Sequence, residues 1–167
     1  MTTANERVSP LDQRSFRDVL GHYPTGVCAL TAIDDAGSPI VMVVGSFTSV
    51  SLDPPLVGFL PAKSSTSWPR IEQAREFCVN ILGADQEGVC RQLSSRDPDA
   101  YARIPGGASL HGLPTIAGAI AWMDCRVHAV HDAGDHVMVL ADVLDLGVAR
   151  TDVEPLVFFR GAYRALA

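Results

Sequence analysis

Apolar residues in this chain come mostly in short runs separated by turn-forming clusters, with helical spacing in only a few places. Leu11, Phe16, Val19 and Leu20 share one face of a helix expected over residues 11–21, with Ser9 placed to cap it. Residues 25–33 are rich in small and β-branched side chains and predict a strand. Residues 34–39 form a turn into a second strand over 40–46, and residues 56–60 read as a short buried strand. A helix is expected over 64–74, capped by Ser64 or Ser65 with Pro69 near its first turn. A strand over 77–82, a helix over 85–93 and a polar excursion over 94–113 follow. Long antiparallel strands over 117–131 and 136–146 meet at a loop over 132–135, and strands over 157–159 and 162–166 close the chain. Short strands with hairpin connections predict a mainly β, antiparallel barrel with a few flanking helices, since a barrel removes exposed edges. No repeat or internal linker interrupts the pattern, so one domain is expected over 11–167 behind a flexible stretch, residues 1–10.

Composition narrows the function. At 167 residues the chain is long enough to bury a sizeable core, and 47% hydrophobic with 19% charged residues is a globular balance. A formal charge of -6 argues against nucleic acid, which needs clustered basic residues. No apolar run approaches the roughly 20 residues of a membrane helix, and the polar start carries no signal-peptide pattern. Cys28, Cys78, Cys90 and Cys125 form no C-x-x-C pair, and two of them have apolar neighbours on both sides. That reads as reduced, packed thiols in a cytoplasmic protein. Of the 13 basic residues only Lys63 is a lysine, set inside a hydroxyl cluster.

The chemistry concentrates in Ser46-Phe47-Thr48-Ser49-Val50-Ser51-Leu52-Asp53-Pro54-Pro55-Leu56. Four hydroxyls lie between two apolar runs, beside a diproline that fixes the turn. Hydroxyls and free N–H groups at a strand end suit a phosphate. In an extended segment Ser49 and Ser51 would face one way, Thr48 and Val50 the other. Lys63-Ser64-Ser65-Thr66-Ser67-Trp68-Pro69 offers a second donor cluster, and Gly134-Asp135-His136 lies between the two long strands. With Asp124-Cys125-Arg126-Val127 and Pro155-Leu156-Val157-Phe158-Phe159-Arg160-Gly161-Ala162-Tyr163, these motifs resemble, in order, those of the flavin reductase-like family, whose fold is the FMN-binding split barrel. The resemblance runs from about Phe16 to Tyr163.

The resemblance implies a cytoplasmic NAD(P)H:flavin oxidoreductase. It would pass a hydride from NADH or NADPH to N5 of FMN or FAD and supply reduced flavin to a separate monooxygenase. It implies a homodimer with the flavin near the interface. Gly45, Ser46, Phe47, Thr48, Ser49 and Ser51 would hold the flavin, with Lys63, Ser64, Ser65 and Thr66 opposite and Trp68 over the ribityl or adenine end. Gly134, Asp135 and His136 would meet the nicotinamide, His136 being the candidate catalytic residue. Ser94 falls where relatives line the pocket, although Leu93-Ser94 replaces their phenylalanine–alanine pair; a solvated helix end is the other reading of that segment. The chain also departs from the family at Val41-Met42-Val43-Val44-Gly45, where relatives carry glycine, threonine and asparagine. That leaves the ring's polar edge to backbone N–H groups or water, and keeps open an alternative: a non-catalytic flavin-binding or carrier domain. His128 and His131, three apart in a strand, face opposite ways and make no metal pair.

Overall fold

The computed structural model describes residues 12–95, 97 and 100–166. Ser9, Leu11 and the stretch expected to be flexible lie outside these. Helix α1 spans Gln13–Leu20, and its N-cap is Asp12 rather than Ser9: the Asp12 carboxylate accepts from the Ser15 N–H at 2.7 Å. Its apolar face is not buried. Phe16, Val19 and Leu20 are each more than half exposed.

Twelve strands follow among the described residues: β1 (Thr25–Gly26), β2 (Cys28–Ile33), β3 (Pro39–Val44), β4 (Thr48–Leu52), β5 (Pro55–Phe59), β6 (Glu76–Ile81), β7 (Gly106–Ala108), β8 (Pro114–Ile116), β9 (Ala121–Ala133), β10 (His136–Val148), β11 (Val157–Phe159) and β12 (Ala162–Arg164). Seven pair antiparallel in the order β3-β2-β6-β9-β10-β5-β4, so β3 and β4 are the edges. Only Gly45–Phe47 joins them. Laid flat, seven strands at about 4.8 Å spacing would put the edges roughly 29 Å apart. Four chain steps from Val44 to Thr48 reach about 14 Å at most. The sheet is therefore curled, with its edges brought near each other without a ladder between them. β1, β11 and β12 form a second small sheet, and β7 pairs with β8.

The alternation of β2 explains its burial on both faces. Cys28, Leu30 and Ala32 enter one core with Phe59, Phe77, Val79 and Val139; Val27 and Ala29 enter another with Leu82, Leu93 and Leu156. Helix α2 (Trp68–Ala74) lies against the first core and α3 (Glu87–Leu93) against the second. Helix α2 starts four residues later than expected. A start at Ser64 would have carried Pro69 past the first turn, where it removes a helical hydrogen bond; instead the Ser65 hydroxyl accepts from the Trp68 N–H at 3.1 Å.

The hydroxyl-rich segment is the larger departure. Residues 48–52 are an edge strand, with Leu52 opposite Pro55 across a two-residue connection. The register shifts between Ser49 and Ser51, so Val50 is a bulge and the expected alternation breaks there. The polar excursion likewise contains β7 and a short 3-10 turn at Tyr101–Arg103. All four cysteines are free and buried. Burial pushes the thiols of Cys28 and Cys125 up to about 12, so neither supplies a thiolate nucleophile. Among the described residues, no helix is long and apolar enough to cross a membrane.

Two buried polar groups behave oppositely. The Asn80 amide donates to Ala29 O at 3.1 Å and Thr31 Oγ1 at 3.0 Å and accepts from Ile116 N at 2.8 Å, pinning β8 to the sheet. Asp124, fully buried on β9 opposite Cys78, has neither carboxyl oxygen in a hydrogen bond. The Cys78 thiol is its polar neighbour, and a thiol is a weak donor. Burial first, and then the Asp124 charge, raise the Cys78 pKa. Asp124→Asn keeps the shape without an ionisable group. It should gain about 1 kcal/mol, raising Tm by roughly 2–4 °C in a chain of this size. Calorimetry checks it; a fall in Tm would show that the carboxyl has a partner worth more than the desolvation it suffers.

Candidate functional site

The connector between the sheet edges lines a cavity of about 600 Å³. Gly45, Ser46, Phe47 and Thr48 form one side; Tyr23, Pro24, Thr25 and Gly26 form another, with Leu20 and Leu60 completing it. Gly45 is closely packed: a Cβ there would stand 2.9 Å from Thr25 Oγ1, so the Thr25 side chain would have to shift. The Ser46 hydroxyl accepts from Leu60 N at 2.9 Å, fastening the connector to the end of β5. That side chain is spent on structure, leaving the backbone to offer donors at this position. The Thr48 hydroxyl donates to Ser49 O at 3.3 Å.

A second cavity, about 510 Å³, opens further back along β3. Pro39 and Val41 of that strand line it with Thr66, Ser67 and Arg70 from the start of α2, and with Leu93, Ser95, Asp97, Ala100 and Tyr101. Edge strand β3 thus runs between the two cavities. Every second residue of an edge strand turns its N–H and C=O away from its only neighbour. The apolar Val41–Val44 run still presents backbone donors and acceptors there. A planar ligand with a polar edge and a phosphate tail fits that combination.

The third component is the β9–β10 hairpin. Its loop has two residues, Gly134 and Asp135, with Ala133 opposite His136. Only Gly134, at φ 69°, is in the left-handed region, the sign pattern of a type II′ turn with glycine first. The loop after β5 docks on this turn: Val137 N donates to Pro61 O at 3.0 Å, and Lys63 N to Asp135 O at 2.9 Å. Lys63 Nζ lies 2.7 Å from an Asp132 carboxylate oxygen. His136 Nδ1 lies 2.7 Å from the Asp135 carboxylate. A carboxylate only accepts, so Nδ1 is the donor in this contact and Nε2 points away from Asp135. The Asp135 carboxyl is held below its ordinary range, chiefly by the His136 hydrogen bond and charge.

The structure therefore brings together Gly45–Thr48, Lys63 and Gly134–His136 at one end of β5 and β10. It does not bring Ser51 there. Ser51 pairs with Leu56, which pairs with Asp142, six residues along β10 from His136 and so roughly 20 Å away. Ser49 and Ser64 are exposed, and Ser65 caps α2. Trp68 must be corrected: it is 4% exposed and packs edge-on against Phe59 at 5.6 Å, so its ring belongs to the core and covers no ligand. Ser94 is also displaced. It ends α3, while its neighbours Leu93 and Ser95 line the cavity. Tyr23 to Gly26, Arg70 and Tyr101 were missed as lining residues. The Pro24-Thr25-Gly26 turn signal ahead of β2 marked the first group; nothing local marked Tyr101.

The sequence model of the family described as "Flavin reductase like domain" matches residues 20–167. A flavin reductase of Pseudomonas putida is 52% identical over 159 residues, 95% of this chain and 93% of its own length. The reductase subunit HsaB of a flavin-dependent monooxygenase from Rhodococcus jostii is 44% identical over 156 residues, 93% of this chain and 79% of its own. The NADH:FAD oxidoreductase SgcE6 of Streptomyces globisporus C-1027, in complex with NAD and FAD fragments, matches with a TM-score of 0.89 and 33% identity over 97% of each chain. With its mainly β, antiparallel architecture and flanking helices, the chain belongs to the flavin reductase-like family.

Proposed function

We propose that this protein uses NADH or NADPH to reduce FMN or FAD and supplies the reduced flavin to a separate monooxygenase in the cytoplasm. One observation carries the reading: the Lys63 segment and the G-D-H hairpin are docked on each other beside the Gly45–Thr48 connector. Three motifs far apart in sequence meet at one place.

A bound flavin would supply the hydride acceptor, and no acid or base need touch the hydride itself. The residues of this chain then act by positioning. The β3 edge and the connector would hold the ring through backbone groups, with Thr66 and Ser67 facing the phosphate-bearing tail. His136, fixed by Asp135, would present Nε2 to the carboxamide of the nicotinamide. Lys63 is committed to Asp132 only through an exposed pair, a class worth about 0–1 kcal/mol, so a phosphate can displace the carboxylate.

The assembly belongs to the same proposal. Leu20 and Tyr23 line the larger cavity and stand exposed with Phe16 and Val19, and Leu52 on edge strand β4 is 93% exposed. A second copy would cover this apolar surface and wall the cavity. Light scattering at micromolar concentration should give the mass of a dimer; a monomer would count against this arrangement.

Two substitutions test the site. Lys63→Ala should weaken FMN about ten- to a hundredfold and spare riboflavin, which lacks the phosphate, while Asp132→Asn should tighten FMN by up to about fivefold. Equal losses for both flavins would remove Lys63 from the phosphate. His136→Ala should raise the KM for NAD(P)H and slow flavin reduction by about a hundredfold with FMN affinity nearly unchanged. Stopped-flow absorbance measures the rate, and unchanged kinetics would return His136 to an ordinary hairpin position.

A further inference from the structure

None of residues 155–163, the closing motif, lines either cavity along β3. Its two short strands meet at Arg160 and Gly161, with Phe159 opposite Ala162 and Phe158 opposite Tyr163. Register decides which face a side chain takes. Here it sets the Tyr163 ring edge-on to Phe158 at 5.3 Å, packed against the core that holds Leu93 and Leu156. Strand β11 lies between β12 and β1, pairing Phe158 with Thr25. Val27 N donates to Leu156 O at 3.1 Å and Arg160 N to Gly21 O at 2.8 Å, so both ends of β11 are tied down. The β11–β12 hairpin is a fixed platform, and Tyr163 stands on it.

What Tyr163 reaches is helix α3. Its phenol oxygen accepts from the Cys90 thiol, Sγ to Oη 3.1 Å, and the Arg91 guanidinium lies over its ring at 5.0 Å. The Cys90 hydrogen bond, and after it burial, hold the phenol above its ordinary pKa range. Cys90 and Leu93, three apart, share the buried face of the helix, so a contact at one fixes the height of the other. From there the connection runs to the cavity of about 510 Å³. The Gln92 amide donates to Ala100 O at 2.8 Å, joining the helix end to the turn that carries Tyr101. Leu93, Ser95, Ala100 and Tyr101 all line that cavity, together with Thr66 and Ser67.

We infer that Tyr163 is a positioning residue for flavin binding: through Cys90 it sets where the end of α3 and the Ala100–Tyr101 turn stand, and so the width of the cavity at the phosphate-bearing tail. The inference rests on the placement of that tail at Thr66 and Ser67. Tyr163 does not line the cavity itself, so it acts through the helix. The hydroxyl is the part that matters. A phenylalanine would fill the same space and keep the ring against Phe158 and Arg91, so packing alone does not select tyrosine here. A group behind the wall changes affinity for the tail and leaves the hydride step alone.

Tyr163→Phe removes the hydroxyl and keeps the ring. Titration followed by flavin fluorescence should show FMN and FAD bound about three- to tenfold more weakly, the loss of one hydrogen bond. Riboflavin, which has no phosphate, should bind as before. In steady-state assays the KM for FMN should rise by the same factor while kcat holds. Cys90→Ala should reproduce the effect, and Cys90→Ser, which keeps a donor for the phenol, should stay near the wild type. Tyr163→Phe combined with Cys90→Ala should lose no more than either alone, because both remove one contact. A role confined to stability would lower Tm and leave the flavin affinities of the folded protein unchanged. That result, additive losses in the double variant, or an equal loss for riboflavin would each overturn the inference. Wild-type protein that neither binds nor reduces any flavin would remove the proposed function and this inference with it. Normal wild-type reduction with unaltered Tyr163→Phe affinity would overturn the inference alone.

Discussion

Three residues, Gly45 to Phe47, must bridge the two edges of a seven-stranded sheet, and much of the molecule follows from that shortness. A flat sheet cannot meet the constraint, so the sheet curls and encloses the core around Phe59 and Phe77. The connector passes close to the Thr25 side chain at Gly45, and it has no ladder, so the Ser46 hydroxyl anchors it to Leu60. A backbone held away from any partner strand, beside an unfilled volume, is where a ligand can take the place of the missing strand. Site and fold share one cause.

Much of the architecture was legible because alternation and turn chemistry are local. β2, β6 and the β9–β10 hairpin fell close to their expected positions, as apolar runs bounded by Gly, Asp and Pro. Strand β4 was not legible: no strand was assigned over its serines, and only pairing with β5 makes it an edge strand. Trp68 shows the same limit from the other side. An aromatic at a helix start gives no sign of which way it points, and the space between Phe59 and Ile71 decided it. The docking of Lys63 on Asp132 and Asp135 depends on the register of β5 against β10, which no local pattern specifies. The motifs named the participants, and the sheet set their distances.

The serine-rich segments also show why hydroxyl content is a poor measure of ligand contacts. Ser46 fastens the connector and Ser65 caps α2, so two of the most suggestive side chains stabilise the backbone rather than face a ligand. Ser/Thr hydroxyls near their own backbone regularly compete in this way. What remains for binding is mainly backbone N–H, Thr66, Ser67 and one lysine already lightly paired.

That division bears on the proposed reaction. A reductase that hands its product to another protein must bind flavin well enough to orient it and weakly enough to release it. Backbone groups orient a planar ring at little entropic cost because they are already fixed by the sheet. Each neutral hydrogen bond nets only about 0.5–1.5 kcal/mol, so a ring held this way is positioned without being trapped. On the proposed function the valines of β3 cease to be a defect: apolar side chains along Val41–Val44 would lower affinity for the ring while leaving its orientation to the strand. The exposed Lys63–Asp132 pair fits the same proposal, since a carboxylate beside a lysine offered to the phosphate would compete for it and favour departure.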